Sequence, residues 1–495
     1  MSEFLVPKFF MDLLSPALLF SFLFLVYYII RDRRPKGLPP GPYPWPFLGN
    51  LLQLGDKPHA KLATLAQTYG HLFTLKLGAQ TVVVASSPSV AAEILKTHDR
   101  VFSGRYVFHS FRIKNHVEYS MVWSDCNEYW KMLRRICRTE IFSPKMIEAQ
   151  AHLREEKVIE MVRFLRKKDG EVIKIAEVIF GTLFNIFGNL ILSKDVFDLE
   201  DPSSGKEEMK GHIWRLMELG NSTNPADYFP ILGESDFLGQ RKAVADCLKQ
   251  IHDIWTVILR ERRERKGDDS FRDFVSVLLD ANLDDHQINA LLMEMFGAGT
   301  ETSASTIEWA LAELIKNPQI MSSLRTELND VVGPNPIKES DIPRLPFLNA
   351  CVRETLRLHP PTPLLLPHRA LETCQLLGYT IPKDCQIMVN AWAIGRDPST
   401  WKDPLAFSPD RFLNSDVDYR GSDFQLIPFG AGRRVCPGLP LATQFIHLIV
   451  ASLVHYFEWG LPGGAHPSEL VMEEKFGLTL QKDPPLLAVT KSRPY

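Results

Sequence analysis

One stretch, Phe429–Gly438 (FGAGRRVCPG), constrains this chain more than any other. It sets one cysteine, Cys436, in a glycine-rich loop with two arginines before it and a proline after it. An apolar helical run, Leu439–Phe457, follows. Glycine at 430, 432 and 438 lets backbone pass close to a flat partner and admits positive φ. A thiolate in such a loop needs a cation to stay ionised, and a bound metal supplies one. No second Cys or His stands at zinc-like spacing, which argues against a tetrahedral zinc site. A single thiolate suits the axial position of a haem. Arg434 can pair with a haem propionate, because a guanidinium matches carboxylate geometry. Cys-Pro alone reads more simply as a buried cysteine ahead of a helix. The full spacing Phe429-x-x-Gly432-x-Arg434-x-Cys436-x-Gly438 reverses that preference.

A second anomaly lies in Ile288–Lys316, a long apolar helical pattern interrupted by Phe296-Gly-Ala-Gly-Thr-Glu-Thr-Ser303. Mid-helix glycine costs about 1 kcal/mol against alanine, and hydroxyls that bond back to earlier carbonyls bend helices. A local defect in a strong helix points to a functional site. With Cys436 in the same chain, the expectation is a widening at Ala298–Gly299 that admits O2. Thr302 then hydrogen-bonds the oxygen and Glu301 supplies protons. Ordinary small-residue packing is the alternative. Glu294, one turn before Ala298, is either a partner for a substrate amine or a structural acid.

Trp130 and Arg134 in WKMLRRICR share a helix face, and an indole beside a guanidinium suits a second propionate. Lys131, Arg135 and Arg138 form a neighbouring stripe, either a solvated face or a docking patch for an acidic electron-donor protein. Glu354 and Arg357, three apart on a helix, can pair. Pro360–Arg369 (PPTPLLLPHR) cannot be helical. It offers Leu364–Leu366 to a pocket, and Arg369 in preference to His368 for a propionate. Lys61–Tyr69 and Pro88–Thr97 read as helices, His71–Leu77 with Gln80–Ala85 as a hairpin, Tyr379–Asn390 as strands, and Val471–Gln481 as a terminal hairpin. Arg100–Tyr119 shows no clean period.

Leu13–Ile30 is an 18-residue run without a charge, followed at once by RDRRPK. That pattern predicts an uncleaved membrane anchor with the cations in the cytosol. A cleaved signal peptide is the competing reading, but no small-residue cleavage site follows. Leu38-Pro-Pro-Gly-Pro42, with Pro44 and Pro46, is a stiff hinge. The expected organisation is an anchor at 1–30, a basic and Pro-rich hinge at 31–50, and a catalytic domain at 51–495. A net charge of −3 gives no case for nucleic acid. Seven scattered cysteines argue against a disulfide framework. In this topology the sequon at Asn221 never meets the glycosylation machinery.

Taken together, these motifs resemble the plant microsomal cytochrome P450 family, from the Pro-rich hinge to the C-terminus. The resemblance implies a mainly α fold with small β-sheets, preceded by one N-terminal transmembrane helix. It implies haem b held by Cys436, with Phe429, Arg434, Trp130, Arg134 and Arg369 as further cofactor-binding residues. It implies Thr302 and Glu301 as catalytic residues. It places Glu354, Arg357 and Arg411 in a buried structural triad, although Asp410 stands where the family more often has Glu. It implies electrons from NADPH through NADPH-cytochrome P450 reductase, and a single-pass place in the endoplasmic reticulum membrane with the catalytic domain cytosolic. Arg100–Tyr119 becomes the loop that roofs the substrate pocket, with Tyr106, Phe108, Phe111 and Phe476 as its aromatic lining. The stretches Ile94–Trp130, Gly220–Leu232 and Asn289–Ile315 are most similar to enzymes of benzylisoquinoline alkaloids. Hydroxylation of a benzyl ring is the leading expectation. Oxidative phenol coupling, hydroxylation of another plant secondary metabolite, a haem-thiolate isomerase and a haem sensor are the rivals. Gly297-Ala-Gly-Thr300 favours the hydroxylases within that group.

Overall fold

The helix Asp285–Lys316 runs through the middle of the molecule. A capping box fixes its start, with the Asp284 carboxylate accepting from Gln287 N at 2.9 Å and the Gln287 side chain accepting from Asp284 N at 3.0 Å. It stops at Asn317 because Pro318 opens the next helix, and a residue before proline avoids helical backbone. Most of its length is buried on all sides, as expected of a core helix. Ile175–Leu192, Pro346–Leu358 and Leu439–Tyr456 pack against it. The first and last of these are long and apolar enough to cross a membrane, but both are mostly buried in this core.

The computed structural model describes residues 18–22, 24, 37–201, 207–221, 224–233, 236–264 and 273–494. Among them the architecture is mainly helical with small sheets, as expected. The largest sheet has five strands, in the order Leu72–Leu77, Gln80–Ala85, Gln386–Val389, His368–Arg369 and Gly104–Arg105. The first two form the expected antiparallel hairpin around Gly78. Glu473–Lys475 and Gln481–Asp483 form a C-terminal hairpin whose tip returns to the central helix.

Two expectations change. Arg100–Tyr119 is not an irregular loop but two 3-10 turns, a short strand and the helix Lys114–Tyr119. The central helix remains α-helical through 298–299 instead of widening. Packing explains Gly299, since a Cβ there would sit 2.3 Å from Cζ of Phe187. Of the expected anchor Leu13–Ile30, only 18–22 and 24 lie within the described residues. They are helical, with Leu18, Leu19, Phe20 and Phe22 exposed. The cations at 31–36 lie outside the described residues, as do Ser222 and Thr223 of the sequon.

Candidate active site

The cysteine loop is held by its own backbone. Cys436 N donates to Phe429 O at 3.0 Å, closing the stretch into a tight turn. Gly432 has φ +67°, and a Cβ there would lie 1.9 Å from Leu95 O, so only glycine fits. Burial pushes the Cys436 thiol up, while the N–H groups of Gly438 and Leu439 and the nearby Arg134 favour the thiolate. These last groups sit at the start of the Leu439–Tyr456 helix, whose dipole also favours an anion.

Behind the loop, Glu354 and Arg357 form a two-fold ion pair, both contacts at 2.7 Å. Arg411 Nε reaches the same carboxylate at 3.0 Å. Arg357 also donates to the carbonyls of Gly395, Pro404 and Ala406. The helix Pro346–Leu358 is thereby fastened to the segment that leads into the cysteine loop.

A cavity of about 310 Å³ lies between the loop and the central helix. Cys436, Phe429, Gly430 and Arg434 line it, together with Ala298, Gly299, Thr302 and Glu294. Thr302 Oγ1 donates to Ala298 O at 2.7 Å. Thr300, Ser303 and Thr306 make the same bond to the carbonyl four residues back. Glu301 does not line the cavity. It turns toward the C-terminal hairpin, where Gln481 Nε2 donates to its Oε1 at 2.9 Å. Its Oε2 is buried without a partner among the described residues. Burial raises its carboxyl to about 7, against the pull of Gln481. Burial thus favours the protonated acid at Glu301, one residue from Thr302.

The basic edge of the cavity differs in part from expectation. Arg434 is buried, donating from Nε to Ser103 O at 2.9 Å and from Nη2 to Ser124 O at 2.5 Å. Its Nη1 has no partner among the described residues. Arg134 donates to Val435 O at 2.8 Å and lines the cavity. The indole of Trp130 lies near both guanidiniums, 5.2 Å from that of Arg134 and 5.0 Å from that of Arg434. Its N–H is already given to Met121 O at 2.9 Å, so Trp130 offers a face and not a donor. Arg369 is displaced from the role expected of it. It pairs with Asp125 at 2.8 Å and Asp384 at 2.7 Å and does not line the cavity. Arg105 and His368 stand there instead. The reason is strand alternation: Arg105 pairs with His368, so the two share a face of the sheet and Arg369 takes the other. Arg105 Nη1 donates to Leu366 O at 2.7 Å, while its Nε is buried without a partner. Burial, then the repulsion of Arg434, lowers Arg105 to about 9.

Two buried guanidiniums that repel each other and keep unpartnered N–H groups call for anions. A haem fits this edge. Its two carboxylates would meet Arg105, Arg434 and Arg134, and Cys436 would hold its iron.

The aromatic lining is also redrawn. Phe111, Leu365 and Leu366 line the cavity as expected, and Leu478 joins them. Tyr106 instead donates to Asp227 O at 2.8 Å, and Phe476 stacks on His59 at 5.4 Å. Phe108 and Leu364 also stand outside the lining. Trp123, Phe187, Leu216 and Met217 take their places. On the other side of the cysteine loop, Lys131, Arg135 and Arg138 line an open groove of about 1090 Å³ that also reaches Cys436 and Pro437.

A family model described as Cytochrome P450 matches residues 39–489. A Coptis japonica relative, "Probable (S)-N-methylcoclaurine 3'-hydroxylase isozyme 2", is 69% identical over 98% of this chain and 99% of its own. The Papaver somniferum "(S)-N-methylcoclaurine 3'-hydroxylase isozyme 1" is 67% identical over 94% of this chain and 98% of its own. "Corytuberine synthase" of Coptis japonica is 51% identical over 95% of this chain and 97% of its own.

Proposed function

Since the chain belongs to the cytochrome P450 family, we propose that it is a monooxygenase that hydroxylates the benzyl ring of (S)-N-methylcoclaurine at C3'. The observation that carries this reading is the aromatic cavity lined by both Cys436 and Thr302. The names of the relatives at 67–69% identity supply the substrate. Haem b, when bound through a thiolate, supplies O–O cleavage and transfer of one oxygen atom.

The chain's own groups do the rest. Arg105, Arg134 and Arg434 would hold the cofactor carboxylates, with the Trp130 ring packed against the last two. Phe111, Trp123 and Phe187 hold the substrate's aromatic rings. Holding the reacting carbon within about 3–3.5 Å of the oxidant selects oxygen insertion over other outcomes. Glu301, kept protonated by burial, stores a proton one residue from the cavity wall, and Thr302 Oγ1 presents an acceptor to the cavity.

Electrons originate with NADPH and arrive through a reductase. Lys131, Arg135 and Arg138, exposed along the groove beside Cys436, form the docking stripe for its acidic surface. Residues 1–30 anchor the chain in the endoplasmic reticulum membrane, 31–50 act as hinge, and 51–495 form the cytosolic catalytic domain. Supporting the anchor, Phe24 packs on Phe47 with ring centroids 4.5 Å apart. Tyr43, Trp45 and Leu52 are exposed alongside, an apolar surface suited to a bilayer.

The test is incubation of the membrane-bound enzyme with (S)-N-methylcoclaurine, NADPH, reductase and ¹⁸O-labelled O2. The expected product is a catechol heavier by one labelled oxygen atom. A dominant product lighter by two hydrogens, or dimeric, and free of label would move the chain to oxidative phenol coupling.

A further inference from the structure

Glu294 is the one carboxylate among the described residues that line the cavity, and the reading above gives it no task. It is only 5% exposed. Its oxygens accept from the Ser120 hydroxyl, from Met121 N at 2.8 Å and from Val122 N at 3.3 Å. All three donors belong to the turn that follows the Lys114–Tyr119 helix. Ser120 Oγ also accepts from Trp123 N at 2.7 Å. Segment 120–124 is therefore wound around one carboxylate of the central helix.

The outward groups of that segment face both halves of the site. Met121 O receives the Trp130 indole, and Ser124 O receives Arg434. The side chains of Met121, Val122 and Trp123 line the cavity. Trp123 in turn packs on Phe108 and Phe111, with centroids 5.9 and 5.7 Å apart.

We propose that Glu294 is a positioning residue: by clasping segment 120–124 it sets both the aromatic wall that meets the substrate and the arginine that meets a cofactor carboxylate. Charge-assisted bonds from backbone N–H to a buried carboxylate are strong and geometrically strict. In Glu294→Gln one of the two oxygens becomes an NH2 donor, so the Ser120 hydroxyl and the N–H groups of Met121 and Val122 are left to share one uncharged carbonyl oxygen, which loosens the segment. The competing role, pairing with the substrate's ammonium, is less well served. The lone pairs of Glu294 already face the segment, and Arg434 lies close enough to act on its charge.

The substrate half of this inference rests on the proposed function, and the cofactor half on the family alone. The test uses the full-length holoenzyme with Glu294→Gln, Glu294→Asp and Ser120→Ala, the last removing one bond of the clasp. Two quantities are read. One is the affinity for N-methylcoclaurine and for its neutral N-acyl analogue, from the ligand-induced shift of the haem absorption band. The other is the rate of haem transfer to an acceptor apoprotein. Glu294→Gln should weaken both ligands by a similar factor, roughly 10-fold or more, and speed haem loss. Glu294→Asp should recover part of both, and Ser120→Ala should show smaller changes in the same direction.

Weakening confined to the cationic ligand, with haem transfer unchanged, would overturn the clasp in favour of an amine partner. Parental values for both readouts in Ser120→Ala and Glu294→Gln would overturn it outright. If the parent binds neither ligand, the proposed substrate is wrong, and haem transfer alone still decides the clasp.

Discussion

Replacing Arg357 should cost more than any other single change behind the cysteine loop. Arg357 is fully buried, with two bonds to Glu354 and three to the carbonyls of Gly395, Pro404 and Ala406. Arg357→Ala leaves the Glu354 carboxylate in the core with Arg411 and Ser408 N as its remaining partners. Breaking one partner of a buried pair costs about 3–5 kcal/mol. Each carbonyl left without a donor adds about 1–3 kcal/mol. A domain has only about 5–15 kcal/mol in all, so the variant should not accumulate as folded holoprotein. Arg411→Ala provides the comparison. Its side chain is partly exposed, and Glu354 keeps both bonds from Arg357. The loss should be about 1.5–3 kcal/mol, a fall in unfolding midpoint of about 1.5–3 °C for a chain of this size. The assay is the yield of the reduced-CO absorption band per unit of expressed protein, with thermal unfolding for variants that fold. Parental yield and midpoint in Arg357→Ala would refute the assignment of the triad as the fastening behind the loop.

Three further outcomes follow from the same geometry. Thr302→Ala should keep NADPH consumption but lower the product formed per NADPH several-fold and raise hydrogen peroxide, measured together in one reconstituted assay; parental coupling would move the role to Glu301 or ordered water. Reversing the charges of Lys131 and Arg135 should raise the reductase concentration needed for half-maximal turnover and leave ligand-induced spectral shifts unchanged, and the parent's rate should fall with salt. Glu301→Gln should flatten the dependence of stability on pH. Burial holds Glu301 protonated up to about 7 in the folded chain, against 4.5 as its ordinary value, so the native state retains a proton that the unfolded chain releases. Stability from this group is thus complete below pH 4.5 and falls as pH rises through 7. The glutamine variant should lose that slope, with about 3 kcal/mol as the upper bound; an unchanged slope in urea titrations across this range would count against the buried acid.

Much of the site was legible in sequence because it is local. Cys436, Arg434 and Phe429 lie within eight residues, and their loop needs glycine at 432. The triad was readable because Glu354 and Arg357 share a helix turn and the Pro409–Phe412 motif brings Arg411. What failed depends on which way a short strand presents its side chains. His368 and Arg369 are neighbours in sequence, and only the pairing with Gly104–Arg105 decides which of them faces inward. Arg105 carried one usable signal, an arginine directly after glycine in a stretch rich in aromatics. Trp123 and Phe187 come from segments remote in sequence, and their approach to the cavity is a product of helix packing that no local pattern encodes. Gly299 was read as a place for oxygen to enter. The helix does not widen there, and Gly299 instead makes room for Phe187.

The hydroxyl of Thr302 has a single hydrogen, and that hydrogen is engaged by Ala298 O. Toward the cavity it presents only lone pairs. A hydroxyl in that state receives a hydrogen bond and gives none. Bare O2, an acceptor alone, gains nothing from it at rest. An oxygen that has already taken up a proton finds an acceptor waiting, with no helix bond to break. Donation instead requires releasing Ala298, at a net cost of about 0.5–1.5 kcal/mol. In the proposed reaction Thr302 would therefore discriminate by hydrogen content, favouring an oxygen that already carries a proton.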